Sequence, residues 1–400
     1  MRKQVKLIIE GSVFALAVLS TGCSNMLSTL GLKSEEPPVA KRTYTDPGEP
    51  ATRPASEPQV VAAEPLVVEP APPVVNVFGE FDGVERPFVK EAGDIGIQQH
   101  TWSDEGFDAD VAVDPTGKWL VFASTRHAQH SRLYLQKTDG QAVIELTSGD
   151  FDDVHPAFSP DGRRIAFAST RAGRWALYTC DVDGKNVVQI TNGASQDMHP
   201  SFSPDGSRLV YCSLSPRSAQ WELWTINLDT NERRMIGTGL FPVWSPDKSV
   251  DRIAFQRARQ RGSRWFSLWT VDLVDGEPRR LMEVAASPVA AVISPTWSPD
   301  GKKLAFATVV EPTNVKDKRP AGRQDIWVIN SDGTGRHRLT TQSHANFAPY
   351  WAVNNRVYFV SDRGGRENVW SIRADSGSTL TAGRKDPTVI GATDGKDIGN

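Results

Sequence analysis

One phrase, repeated at a near-constant interval, constrains this chain more than anything else in it. It reads Val113-Asp114-Pro115-Thr116-Gly117, then Phe158-Ser159-Pro160-Asp161-Gly162, Phe202-Ser203-Pro204-Asp205-Gly206, Trp244-Ser245-Pro246-Asp247 and Trp297-Ser298-Pro299-Asp300-Gly301. Trp351-Ala352-Val353-Asn354-Asn355 is a sixth, degenerate copy. Successive prolines stand 45, 44, 42 and 53 residues apart, which signals a repeat architecture. Each phrase is followed by a β-rich run such as Ile165-Ala166-Phe167-Ala168 or Leu304-Ala305-Phe306-Ala307. Pro in the second and Gly in the fourth position favour a tight turn, so the aromatic before it and the run after it form a hairpin. A third run follows (Leu177-Tyr178-Thr179-Cys180), then an Asp-Gly turn (Asp183-Gly184), then a fourth run ending in Leu-Thr or Ile-Thr. Four strands and two marked turns make one unit. Strands apolar on both faces need cover on both, which a ring of stacked sheets supplies and a flat open sheet does not.

The expected fold class is therefore all-β: a six-bladed β-propeller of four-stranded antiparallel blades over residues 94–382. The aromatic-Ser-Pro-Asp-Gly hairpin, the Ile/Leu-Ala-Phe strand after it and the Asp-Gly turn before Leu-Thr resemble the WD40-like Pro-Asp repeats of TolB-type β-propellers. The resemblance covers roughly residues 104 to 381. It implies a fold and, by analogy only, a part in an envelope machine. TolB proteins carry an N-terminal α/β domain where this chain has a proline-rich segment, and they are soluble, so the resemblance stops at the propeller. A ring must close, and Ile95 to Thr101 stands where an outer strand precedes each first strand, so 94–103 is a candidate closure strand pairing with the last blade. The rival for that position is Ser378-Thr379-Leu380-Thr381.

Residues 1–23 read as an export signal, with Arg2, Lys3 and Lys6 before a short apolar run from Gly11 to Leu19. The run ends in Leu19-Ser20-Thr21-Gly22-Cys23, which resembles a bacterial lipobox and makes Cys23 the expected lipid attachment site, with Ser20 departing from the usual Leu. Acyl chains at about 0.8 kcal/mol per buried methylene would hold such a protein on a bilayer. Residues 24–93 are rich in Pro, Glu and Val, a disordered tether whose proline density leaves neither helix nor strand tenable, and 383–400 form a polar tail. The expectation is a periplasmic lipoprotein, outer membrane favoured over inner by analogy, with a monomeric head.

With 45 basic and 48 acidic residues the net charge is −3, which provides no global field for nucleic acid. Three cysteines exclude a disulfide scaffold and a two-knuckle zinc site. Cys180 and Cys212 align with small apolar residues of other repeats and read as buried hydrophobes, a bridge between them remaining open.

In a four-strand meander the Pro-Asp-Gly and Asp-Gly turns share one face, and the other face collects everything variable. There, before the innermost strands, stand Asp108 and Asp110, Asp153 and His155, Asp197 and His199; the matching positions in blades 4 to 6 are Phe241, Ser294 and Ala348. Carboxylate and imidazole at the channel mouth are candidate ligand or partner contacts, with Asp110, His155 and His199 a weak candidate metal set; the alternative is that they cap loop amides and brace blades. Arg257, Arg259, Arg261 and Arg264 in blade 4, and Lys316, Lys318, Arg319 and Arg323 in blade 5, make one rim basic, opposite Asp104, Glu105, Asp150 and Asp152. Trp175, Trp221 and Trp265 end the same loops and serve either as a stacking rim or as packing between blades. No Gly-x-Ser-x-Gly, His-Glu-x-x-His or Walker loop is present. The sequence therefore points to a non-catalytic, lipid-anchored module without a cofactor, binding an envelope protein or peptidoglycan-associated partner. The alternative is a metal-dependent hydrolase or lyase at the channel mouth.

Overall fold

The computed structural model describes residues 67–68, 96–258, 266–287, 290–310, 324–340 and 344–376. The export signal, Cys23, nearly all of the tether, the rival closure segment 378–381 and the tail lie outside the described residues. The described residues form six antiparallel blades in sequence order, five built on a meander of four consecutive strands and the sixth on three joined by a strand from before blade 1. The innermost strands are Asp108–Val113, Asp153–Phe158, Gln196–Phe202, Leu240–Trp244, Ala290–Trp297 and Asn346–Trp351. Blade 4 carries one extra element: Val67–Val68, parallel to its outer strand, with Val67 opposite Arg280. That two-residue strand departs from the expectation that the tether holds none, and it falls between Pro65 and Pro70, where backbone donors are intact.

Period and burial explain the architecture. The second strand of every blade is apolar and buried on both sides: Leu120, Ile165, Leu209, Ile253, Leu304 and Val357 on one, and Val121, Ala166, Val210, Ala254, Ala305 and Tyr358 on the other, lie at 1% exposure or less. Only a sheet on either side can give such a strand its cover, and the ring does so for all six. Trp244 and Trp297, at the aromatic position of the phrase, reach across: the Trp297 indole donates to the Val243 carbonyl at 3.1 Å, and Arg208 of blade 3 stacks over Trp244 at 4.6 Å while pairing with Asp251 at 2.8 Å.

The ring's seam joins its two ends. Gln98 pairs with Ser371 and Gln99 with Trp370, so the outer strand of blade 6 comes from before blade 1. His100 N donates to the Val369 carbonyl at 2.9 Å, and Val369 N donates to the Thr101 hydroxyl at 2.9 Å. The Tyr350 hydroxyl of blade 6 donates to the Val113 carbonyl of blade 1 at 2.9 Å.

The Pro-Asp-Gly turns are held by one hydrogen-bond pattern. In blade 2 the Gly162 amide closes onto the Ser159 carbonyl at 2.9 Å, the Ser159 hydroxyl donates to Asp161 at 2.5 Å, and the Arg164 amide donates back to that hydroxyl at 2.9 Å. Ser203–Asp205 and Ser298–Asp300 repeat it. These bonds hold the Asp161, Asp205 and Asp300 carboxyls below their ordinary range; at Asp161 and Asp300 the serine bond is the largest cause. The closing glycine needs a positive φ, +70° at Gly162 and +67° at Gly301. A Cβ on Gly162 would sit 3.4 Å from Pro115, whereas one on Gly301 would meet Asp247 Cβ at 2.7 Å and Ser245 Oγ at 2.9 Å. Gly162→Ala is therefore expected to lower stability in urea by about 1 kcal/mol and Gly301→Ala by about 3 kcal/mol; equal losses would mean that the contact with the preceding turn is irrelevant.

Candidate functional site

The innermost strands converge on the ring axis, and each carries the same irregularity there. Register slips between Ala109 and Ala112, Val154 and Ala157, Met198 and Ser201, Leu240 and Val243, Ile293 and Thr296, and Phe347 and Tyr350. Inside every slip one non-glycine residue takes a left-handed backbone: Asp110, His155, His199, Phe241, Ser294 and Ala348, with φ between 48° and 55°. These are the six positions that the repeat aligns. A left-handed L-residue costs about 1 kcal/mol or more, so six of them at one place in six strands are a requirement of the bulge rather than an accident.

The bulge residues of blades 2 to 4 stack in succession. His155 and His199 have ring centroids 3.6 Å apart, and His199 and Phe241 3.9 Å. His155 Nε2 lies 3.6 Å from an Asp110 carboxylate oxygen, which also receives the His155 amide at 3.4 Å. At the channel mouth expected from the sequence, blades 2 to 4 thus present packed rings, with His155 buried. Burial pushes the His155 imidazole below its ordinary value despite the Asp110 charge, and pushes His199 well below it, with His155 adding to the effect. Among the described residues no group of three His, Cys, Asp or Glu side chains is arranged to hold a metal ion.

Asp108 and Asp153, by contrast, are braces. Asp108 is fully buried, accepts the Ser124 hydroxyl at 2.6 Å and takes Arg126 Nη2 on both oxygens at 2.8 Å. Asp153 holds Arg171 Nη2 at 3.1 and 2.9 Å, and burial raises its carboxyl against the pull of Ser169 and Arg171. Asn346 of blade 6 takes Arg363 at 3.0 Å. Sequence reasoning missed these arginines; the recurring Ser-x-Arg two residues beyond the second strand was the signal. Asp197 occupies the same register and has no arginine.

Trp175 and Trp221 are half-buried against the main core, so both pack between blades rather than stand as an open rim. Arg257 lies over Trp269 at 5.5 Å. Arg259, Arg261, Arg264, Trp265 and the blade 5 basic residues fall outside the described residues. Asp104, Glu105 and Asp150 are exposed, as is Trp102 at 49%. Cys180 and Cys212 are buried and unbridged; burial pushes the Cys180 thiol up to about 12 and Cys212 higher still.

Comparison with known proteins agrees with this geometry. Residues 174–311 match the family described as TolB beta propeller domain, and residues 95–220 match the dipeptidyl peptidase IV N-terminal region. The chain carries a TolB-like β-propeller. It is 33% identical over 90 residues to the Tol-Pal system protein TolB of Syntrophus aciditrophicus, covering 22% of this chain and 17% of that protein. It is 30% identical over 83 residues to tricorn protease homolog 1 of Streptomyces coelicolor, 21% of this chain and 8% of that one. The matched segments thus span a small part of these relatives' lengths. A solved structure described as TolB from Agrobacterium tumefaciens superposes with a TM-score of 0.50 at 20% identity over 68% of this chain and 91% of that one, a likeness of fold.

Burial of the His100, His155 and His199 imidazoles predicts that the TolB-like head loses stability in acid. His100, between blades 1 and 6, is lowered by burial to about 4. A histidine whose value is lowered on folding takes up protons more readily when unfolded, so its contribution is intact above about 6.5 and is lost as pH falls below it. Denaturant titrations should show stability falling from pH 7.5 to 5, with about 2 kcal/mol from His100 alone, and His155→Gln with His199→Gln should flatten the profile. An unchanged profile in that double variant would mean that the stacked pair titrates in the folded chain as it does in the unfolded one.

Proposed function

We propose that this chain is a non-catalytic docking platform of the bacterial envelope, its propeller held to a membrane by lipidated Cys23 and a proline-rich tether, and its variable face engaging an envelope protein or a peptidoglycan-associated partner. One observation carries the reading. The turn face repeats one set of Ser-Asp bonds in blades 2, 3 and 5, while the opposite face puts five kinds of side chain on one fixed backbone position of the six blades: Asp110, His155, His199, Phe241, Ser294, Ala348. A constant frame with varied chemistry is what recognition of one asymmetric partner requires. The exposed carboxylates Asp104, Glu105 and Asp150 add charge for steering, and exposed Trp102 adds an aromatic anchor. The TolB likeness supports an envelope partner, and the periplasmic side of a membrane is the setting we assign.

A metal-dependent hydrolase or lyase at the axis is the weaker reading, because the imidazoles there face each other rather than a shared empty centre. A photo-crosslinking residue placed at Asp104, on the variable face, should trap a discrete protein partner in intact cells. The same residue at Asp183, in an Asp-Gly turn of the opposite face, should trap none. Adducts only from Asp183 would overturn the assignment of the face.

A further inference from the structure

The braces described above form one constellation, repeated inside the chain. In blade 1 the Asp108 carboxylate and the Ser124 hydroxyl receive Arg126, whose guanidinium lies over Phe122 and Tyr134 at 4.9 and 5.3 Å. Blade 2 repeats it with Asp153, Ser169 and Arg171 over Phe167 and Tyr178 at 5.3 and 5.0 Å. Blade 6 repeats it with Asn346, Ser361 and Arg363 over Phe359 and Trp370 at 5.7 and 5.4 Å. Blade 5 has neither part, with Val292 in the carboxylate register and Val310 in that of the arginine; blade 4 has Gly239 where the carboxylate would stand, and Arg259, in the arginine register, lies outside the described residues.

Blade 3 keeps the seat and lacks its occupant. Asp197 pairs with Ser213, and Tyr211 with Trp224, in the registers of Asp153 with Ser169 and Phe167 with Tyr178. Two residues beyond Ser213, where the other blades have arginine, stands Ser215. Asp197 is 1% exposed, and neither of its carboxylate oxygens has a hydrogen-bond partner. Arg233 comes over the same aromatic pair at 5.5 and 5.3 Å from the outer strand, but its hydrogen bonds go to the Tyr211 hydroxyl. A buried carboxylate with no partner is costly, and the cost is relieved when a cation arrives.

We propose that blade 3 holds a receptor seat for a guanidinium brought by the partner, an arginine side chain of a bound peptide, with Asp197 and Ser213 as acceptors and with Arg233 yielding the Tyr211–Trp224 face to it. Guanidinium is favoured over ammonium because the seated arginines of blades 1 and 2 meet both carboxylate oxygens, a serine oxygen and two ring faces at once, which suits a planar fork. The seat is closed in this structure. The connection after Ser213, Pro216 to Gln220, is exposed throughout, and its movement on binding is part of the proposal. Arg217 in that connection is the occupant from within the chain that the test must separate. The inference rests on the docking reading and names the chemistry that one blade of it recognises.

The test uses the full chain with N-acetyl-L-arginine amide as probe and N-acetyl-L-citrulline amide as its neutral isostere, read by thermal unfolding. The arginine probe should raise Tm by about 2 °C at saturation and the citrulline probe should not. Asp197→Asn should abolish the shift. Ser215→Arg should rebuild the sibling arrangement, raise Tm without any probe and leave the probe nothing to bind; Arg217→Ala should keep the response. Equal shifts for both probes, no shift in the unmodified chain, persistence in Asp197→Asn or Ser215→Arg, or loss in Arg217→Ala would each overturn the seat. A crosslink from Asp104 that survives in Asp197→Asn would leave the docking platform standing without it, whereas no crosslink in the unmodified chain would sink the platform itself.

Discussion

A strand that is apolar on both faces cannot lie at the end of a stack, and this constraint governs the whole head. Each second strand is covered by the blade before it and the blade after it, so no blade is self-sufficient and the stack must return on itself. The return is made by residues 98–101. His100 is the centre of that seam: its Nδ1 donates to the Thr138 carbonyl of blade 1 at 3.0 Å, its Nε2 accepts from the Ser371 hydroxyl of blade 6 at 2.7 Å, and its carbonyl receives Gln136 at 2.6 Å. Arg356 of blade 6 reaches back to the Gly96 carbonyl at 3.0 Å. A neutral imidazole can serve both ends at once, which explains why burial without charge suits the position.

Closure also makes the variable face usable. Once the ring fixes six bulges around one axis, the side chain on each bulge is free to differ without disturbing the frame. The histidines of blades 2 and 3 and Phe241 of blade 4 stack on one another, so this part of the axis is packed and rigid. The exposed carboxylates and Trp102 lie outward of it. The face therefore offers a solid platform with chemical asymmetry, which is the basis of the docking reading.

The architecture was legible because the repeat phrase has a mechanism. Pro and Gly set the turn, Ser and Asp tie it, and the apolar run after it has no polar face, so six copies dictate six blades. The bulge positions were aligned by the repeat, yet their left-handed backbone was not legible, since Asp, His, Phe, Ser and Ala share no propensity for it; convergence of six strands on one axis imposes it. The roles of Asp108 and Asp153 were read as ligand contacts or braces, and their buried pairing with Arg126 and Arg171 makes them braces. Those arginines lie two residues past their serines in a connection that varies in length, so periodicity alone did not pair them. Trp175 and Trp221 were read as packing between blades ahead of a stacking rim, and their half-burial against the core agrees with packing.

The seam is the most direct place to test the account. Chains beginning at residue 96 and at residue 103 differ only in the strand that joins blade 6 to blade 1, and amide hydrogen exchange reads both blades at once. The account predicts that the shorter chain loses protection in the Val369 and Ser371 amides of blade 6 and in blade 1 together, with a lower Tm. Equal Tm and equal protection in both blades would contradict it, because the ring would then close without the strand that this structure places in the seam.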